Sequence, residues 1–114
     1  MFLYAMEPRF SDTDALGHIS NTAYPIWFEQ ARSPVFNIFH PSFDVANWPL
    51  IVARIEINYE AQGYWNQDVE IRTGIEKVGN SSCHIRQEAW QNGQRIASGL
   101  TIMIYFDYQT QKSR

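Results

Sequence analysis

The apolar positions of this chain follow two different periods. Between residues 21 and 39 ("NTAYPIWFEQARSPVFNIF"), Tyr24, Phe28, Ala31, Val35 and Phe39 recur at spacings of three and four, the stripe of one helix face. Ile26, Trp27, Phe36 and Ile38 widen the stripe around most of the circumference. Only burial on several sides removes that much apolar area from water, so the pattern predicts a helix with something wrapped around it. Pro25 fits only in the first turn, where its missing N–H would have no partner. The helix is therefore expected to begin near Ser20 to Thr22, with Ser20 or Asn21 as its cap. Pro34 is expected to kink it or to end its first section.

Past the loop-like stretch "HPSFDVANWP" the period drops to two. Ile51, Ala53, Ile55, Ile57 and Tyr59 alternate with Val52, Arg54, Glu56, Asn58 and Glu60, which predicts a strand with one wet face. Val69, Ile71, Thr73 and Ile75 repeat the pattern, and so do Cys83, Ile85, Gln87 and Ala89. The segment "RIASGLTIMIYF" is apolar on both faces, as a central strand covered on both sides would be. Gly63, Gly79-Asn80 and Asn92-Gly93 separate these runs as turn signals. With the N-terminal "FLYAMEPRF" the expected total is five strands, one before the helix and four meandering after it. The expected fold class is α+β, an antiparallel sheet curled around a long central helix.

Composition narrows the picture. The 114 residues, 45% hydrophobic and 15% aromatic, suffice for one core and one domain, residues 1–114. A net charge of -3 with nine scattered Lys and Arg offers no basic stripe, so nucleic acid is not an expected partner. Cys83 is the only cysteine, which excludes an intrachain disulfide, and the N-terminus lacks the apolar core of a signal peptide, so the expected location is cytoplasmic. No apolar stretch is long enough to span a bilayer.

The densest chemistry lies just ahead of the helix. Asp12-Thr13-Asp14-Ala15-Leu16-Gly17-His18-Ile19-Ser20-Asn21, followed by Tyr24, Phe28 and Glu29, resembles the signature of the hotdog-fold acyl-CoA thioesterases of the 4-hydroxybenzoyl-CoA thioesterase-like family. The resemblance runs over nearly the whole chain, since "GYWNQDVEIRTGIEKVGNSSCHIRQEAWQNGQRIASGLTIMIYFD" is similar to that family's closing meander. It implies the hotdog fold, and hydrolysis of a fatty or aromatic acyl thioester of coenzyme A or acyl carrier protein. It also implies a site shared between two subunits and no cofactor or metal.

Thioester hydrolysis needs a carboxylate to activate water or attack the carbonyl, and donors aimed at the oxygen where charge develops. A loop containing Gly17 can fold the Asp14 carboxylate over the first helical turn, whose free N–H groups suit an oxyanion. By the resemblance, Asp14 is the catalytic carboxylate and the amide of Asn21 polarises the carbonyl. Aspartates in this position also serve as caps and turn formers. Asp12 reads as a structural residue of the loop. His18 either contacts substrate, orders Asp14 or is a hydrogen-bonded structural histidine. Glu29 is a second candidate base, although a Glu with Arg32 three residues on usually forms a surface pair. Cys83 and His84 are adjacent on a strand and so face opposite ways, which excludes them as a nucleophile pair.

Substrate contacts are expected at Gly17, and at Trp27 and Phe28 along the acyl channel, with Trp48 from the facing segment. The resemblance implies backbone contacts to coenzyme A at Gly79, Asn80, Ser81 and Ser82. Arg54, Lys77, Arg86 and Arg95 are the open candidates for its phosphates. The open edge of a short sheet predicts a homodimer or a dimer of dimers. Two alternatives stand beside the thioesterase, a noncatalytic acyl-thioester-binding hotdog protein and a hotdog enoyl-thioester hydratase. The short Asp14-to-His18 interval argues against the hydratase.

Overall fold

The computed structural model describes residues 1–39, 50–107 and 112–113. In chain order the elements are β1 (Phe2–Met6), a single 3-10 turn (Phe10–Asp12), α1 (Ala23–Ala31), α2 (Ser33–Phe39), β2 (Leu50–Tyr59), β3 (Val69–Val78), β4 (Ser82–Gln91), β5 (Gln94–Asp107) and β6 (Lys112–Ser113). The five long strands form one antiparallel sheet in the order β1-β3-β4-β5-β2, and β6 adds a two-residue pairing to β5. Five strands against helical segments, in the predicted chain order, agree with the hotdog architecture.

The long central helix is corrected to two short ones, nine and seven residues long. Pro34 supplies the reason, because it has no N–H to offer the carbonyl of Gln30 four residues back. The Ser33 hydroxyl donates to that carbonyl instead, at 2.9 Å, while the Arg32 N–H closes α1 onto the carbonyls of Phe28 and Glu29. The start of α1 also differs by a residue or two from expectation. Its cap position is Thr22, and Ser20 acts two residues earlier, its Oγ accepting the Thr22 N–H at 3.3 Å.

The sheet face of α1 buries Ala23, Tyr24, Trp27, Phe28 and Ala31 against Val69, Ile71, Ala89, Ile96 and Ala97. Gly99 on β5 makes room for the helix, since a Cβ there would lie 3.1 Å from the Phe28 ring. Ile26, expected to be covered, is exposed on the far side of α1. A second apolar cluster joins Val35 on α2 to Leu50, Cys83, Ile85 and Met103. The side chains of Ile38 and Phe39, and all of Trp48 and the "HPSFDVANWP" stretch up to Pro49, lie outside the described residues.

The strands differ in how well alternation anticipated them. On β4, Cys83, Ile85, Gln87 and Ala89 are all buried, and on β3 Val69, Ile71 and Thr73 are. β5 lies between β4 and β2 as a central strand should, with Ala97, Thr101 and Met103 buried on the helix side and Leu100, Ile102 and Ile104 half-buried. β2 departs from expectation: Ile51, Val52 and Ile55 are 42%, 41% and 43% exposed, so both of its faces are open in the single chain. Two causes act together. β2 is an edge strand, and a register shift between Val52 and Arg54 changes which side chains share a face. At the β4–β5 turn, Asn92 and Gly93 have φ of 51° and 78°, the pair of positive values that a two-residue type I′ hairpin demands.

Candidate functional site

The stretch from Asp12 to Asn21 is a small hairpin-like loop hooked onto the start of α1. Thr13 and Ile19 form a bridge, the Asp14 N–H donates to the His18 carbonyl at 2.8 Å, and the Ser20 N–H donates to the Asp12 carbonyl at 2.7 Å. Gly17, at φ 77°, turns the chain back in the left-handed region that a side chain disfavours. The loop is tied to the segment before β3 by the Ile19 N–H, which donates to the Gly63 carbonyl at 2.8 Å, and by a bridge between His18 and Tyr64.

Within this loop the two aspartates separate by environment. Asp12 is buried and takes the Arg9 backbone N–H at 2.8 Å and its guanidinium at 3.1 Å. Burial alone would push the Asp12 carboxyl up, but the Arg9 donors and charge outweigh it and hold it below the usual carboxylate range. Asp14 is exposed, and its Oδ1 accepts the N–H groups of Leu16 at 2.8 Å and His18 at 3.2 Å. Those bonds fix the carboxylate and use one oxygen. Oδ2 accepts no bond from any described residue. The His18 ring stands edge-on to Tyr64 at 5.3 Å between centroids.

Asn21 lies three residues past His18, at the positive end of α1. Its carbonyl accepts the Tyr59 hydroxyl at 3.1 Å, and among the described residues its N–H has no acceptor. Beside it opens a cavity of about 410 Å³ lined by Ile19, Asn21, Tyr24, Tyr59, Glu60 and Gly63. Gly63 is required there, since a Cβ would lie 2.7 Å from the Tyr24 hydroxyl and 2.9 Å from Ile19. Burial, with the neighbouring Tyr59 adding to it, pushes the Tyr24 hydroxyl up to about 12, so it stays a donor at any working pH. In the sequence Tyr24 reads as a stripe and signature position and Tyr59 as an alternating strand position. Their polar role has no signature in period alone, because it depends on β2 crossing the start of α1.

The loop thus brings Asp14, Gly17, His18 and Asn21 together. Trp27 is buried edge-on to Tyr24 and lines a different cavity, of about 510 Å³, with Met6, Arg9 and Ile26. Phe28 is core against Gly99. Gly79, Asn80, Ser81 and Ser82 lie at the β3–β4 turn. β3 starts beside the Asp14 loop and runs ten residues away from it, about 30 Å, before that turn.

Arg54, Arg86 and Arg95 pair with acidic neighbours, Glu56, Glu76, and Glu60 with Glu88. Cys83 is buried, facing away from His84. Among the described residues no group of three His, Cys, Asp or Glu could hold a metal ion, and no helix is long and apolar enough to cross a membrane.

The expected surface pair of Glu29 and Arg32 is also corrected. Arg32 is only 2% exposed and points into the sheet, donating to Gln87 Oε1 at 3.2 Å and Thr101 Oγ1 at 3.3 Å. Glu29 remains exposed and in no ion pair among the described residues.

Comparison with known proteins agrees with this architecture. The family model of the thioesterase-like superfamily matches residues 8–114. A predicted thioesterase from Bacillus stearothermophilus is 39% identical, with a TM-score of 0.95 over 99% of this chain and 85% of that one. A Thermus thermophilus thioesterase complexed with coenzyme A and Zn shares the fold at 24% identity, with a TM-score of 0.87 over 98% and 89% of the two chains. The uncharacterized protein YsmA of Bacillus subtilis is 25% identical, over 98% of this chain and 77% of its own length. The chain belongs to the thioesterase-like superfamily and is a thioester hydrolase of the hotdog type.

Proposed function

We propose that the protein hydrolyses the thioester of a fatty or aromatic acyl-CoA, with Asp14 as general base or nucleophile. The observation that carries this is the loop geometry. Asp14 is clamped through Oδ1 with Oδ2 free, and the Asn21 N–H is unbonded at the start of α1 beside a cavity of about 410 Å³. A carboxylate and an N–H donor on one short loop are the two groups that acyl transfer to water requires. His18 and Gly17 shape the loop, and Tyr59 holds the Asn21 peptide in place. The bound ligand of the Thermus thermophilus relative favours coenzyme A as the carrier.

The reading includes a homodimer. β2 presents ten residues of open edge with apolar side chains on both faces, and pairing with a second copy would satisfy its N–H and C=O groups. In an antiparallel pair about a two-fold axis, the Tyr59 end of one strand meets the Leu50 end of the other. That moves the partner's Gly79 to Ser82 turn toward Asp14, which the single chain cannot do. Selectivity among acyl groups belongs to apolar walls, which separate homologues by only about 1–3 kcal/mol per methylene, so a range of chain lengths should be accepted.

The experiment is a thiol-release screen over short, long and aromatic acyl-CoAs, run beside sedimentation. Turnover of several homologues by a dimer or tetramer is the expected result. A monomer that binds acyl-CoA without cleaving it would establish the noncatalytic binding protein instead.

A further inference from the structure

Arg32 is the most deeply buried charge in the described structure. Its placement follows from four elements. It ends α1, its Nη1 donates to Gln87 on β4 and Thr101 on β5, and Gln87 is itself fixed by donating to the Phe28 carbonyl at 2.8 Å and to Thr73 Oγ1 on β3 at 3.1 Å. All of these partners are neutral. No described carboxylate lies within ion-pair distance, and Nε is buried without any acceptor. A buried cation whose only nearby opposite charge, Glu29, stands in solvent and forms no ion pair with it is costly, and a purely structural peg would be better served by an apolar side chain.

Arg32 is also among the residues lining a cavity of about 370 Å³, with Ser33, Phe36, Leu50, Val52 and Met103 as further walls and Glu29 at its exposed rim. The walls are mostly apolar, and the only held charge is positive. Glu29, the one acidic lining residue, is in solvent, where its repulsion is screened.

We propose that this cavity is a carboxylate-binding pocket, and that it receives the distal carboxylate of an acyl group esterified to coenzyme A. The substrate class is thus an ω-carboxyacyl thioester. This deepens the thioesterase reading and rests on it. The placement fits the two-fold pairing of β2, because Leu50 and Val52 mark the strand end that would meet the partner's Tyr59 and Asn21. An acyl chain polarised at one subunit's Asn21 would then extend toward the other's Arg32.

The test has a binding arm and a kinetic arm. In thermal unfolding of the intact protein, adipate should raise the midpoint while the corresponding diol does not. Arg32→Met should abolish the rise. Gln87→Glu, which supplies Arg32 with a counter-charge inside the chain, should also abolish it, and serves if the first variant does not fold. In the kinetic arm, adipoyl- and suberoyl-CoA are compared with hexanoyl- and octanoyl-CoA. The carboxylated member of each pair should have the higher kcat/KM by about tenfold or more, and the preference should vanish in the variants.

No midpoint rise with adipate, or an equal rise in Arg32→Met, overturns the proposal. So does dissociation of the wild-type oligomer in Arg32→Met, which would make a partner's carboxylate the missing counter-charge. If adipate binds through Arg32 but no thioester is cleaved, the pocket stands and the hydrolase mechanism built on Asp14 falls.

Discussion

The two ends of α1 handle charge in opposite ways. At the start of the helix, Asp14 is exposed, and backbone N–H groups of its own loop hold it. At the end, Arg32 is buried, and side chains from β4 and β5 hold it. The first arrangement is local: it needs about ten consecutive residues and one glycine at positive φ. The second is long-range, since Gln87 and Thr101 are 55 and 69 residues away in sequence. The carboxylate stands in solvent on a short loop with one oxygen open, whereas the guanidinium is fixed in the interior by partners from two strands. The difference suits reaction chemistry at one end and recognition at the other.

The sharpest way to break this contrast is to remove the carboxylate at the start. Asp14→Asn keeps the shape and the acceptor that Leu16 and His18 use, so folding should survive while turnover falls by about 10²–10⁴. Glu29→Gln, near the other end, should lose much less. If the two results are reversed, the catalytic end of α1 has been misassigned.

A smaller effect is expected where the start of the helix is packed. Gly63→Ala puts a methyl group 2.7 Å from the Tyr24 hydroxyl and 3.1 Å from Ile96, and such overpacking costs about 1–3 kcal/mol. Urea unfolding measures it, and an unchanged midpoint would show that this end is looser than its contacts imply.

At the far end, Ser33→Ala leaves the Gln30 carbonyl without its substitute donor. The expected loss is about 0.5–1.5 kcal/mol by the same measurement.

The smallest effect concerns Asp12 and acid. Its native carboxyl sits below the ordinary range, so the stability it supplies is complete above that ordinary value and is lost as pH falls from there through the native value. Arg9→Met should flatten this acid dependence slightly, because Arg9 is itself largely in solvent and its pairing is screened. An unchanged acid profile would leave the backbone N–H of Arg9 as the only donor that matters to Asp12.

What could be read from the sequence follows the same local and long-range divide. Alternation placed β4 and the first half of β3 well because there each strand lies between two neighbours with one face on the core, so burial enforces a period of two, whereas Ile75, past the end of β1, is exposed. It failed on much of β2, where the sheet ends and a register shift intervenes, so Ile51, Val52 and Ile55 have no core to face within one chain. The loop from Asp12 to Asn21 was legible because its bonds are to its own backbone, and Pro34 announced the helix break. Arg32 was not legible. Three residues after Glu29 it looks like half of a surface pair, and nothing in its neighbourhood reveals that Gln87 and Thr101 wait across the sheet. The cavity at Asn21 escaped notice for the same reason, since Tyr59 reaches it only after β2 has paired with β5.

The tight turn at Asn92-Gly93 bears on the order in which the sheet assembles. It lets β4 and β5 meet with almost no chain to close, and a hairpin of this kind forms in about 1–10 μs. β2 must close a loop of some forty residues to reach β5, and β1 a longer one to reach β3, so both edges are laid down late. The edge strand with the most open apolar surface is therefore among the last to join its own sheet. Before it joins, the outer edge of β5 is unpaired as well, and a second chain's β2 could occupy that place. Refolding at high protein concentration should consequently yield strand-exchanged dimers, and dilution during refolding should suppress them.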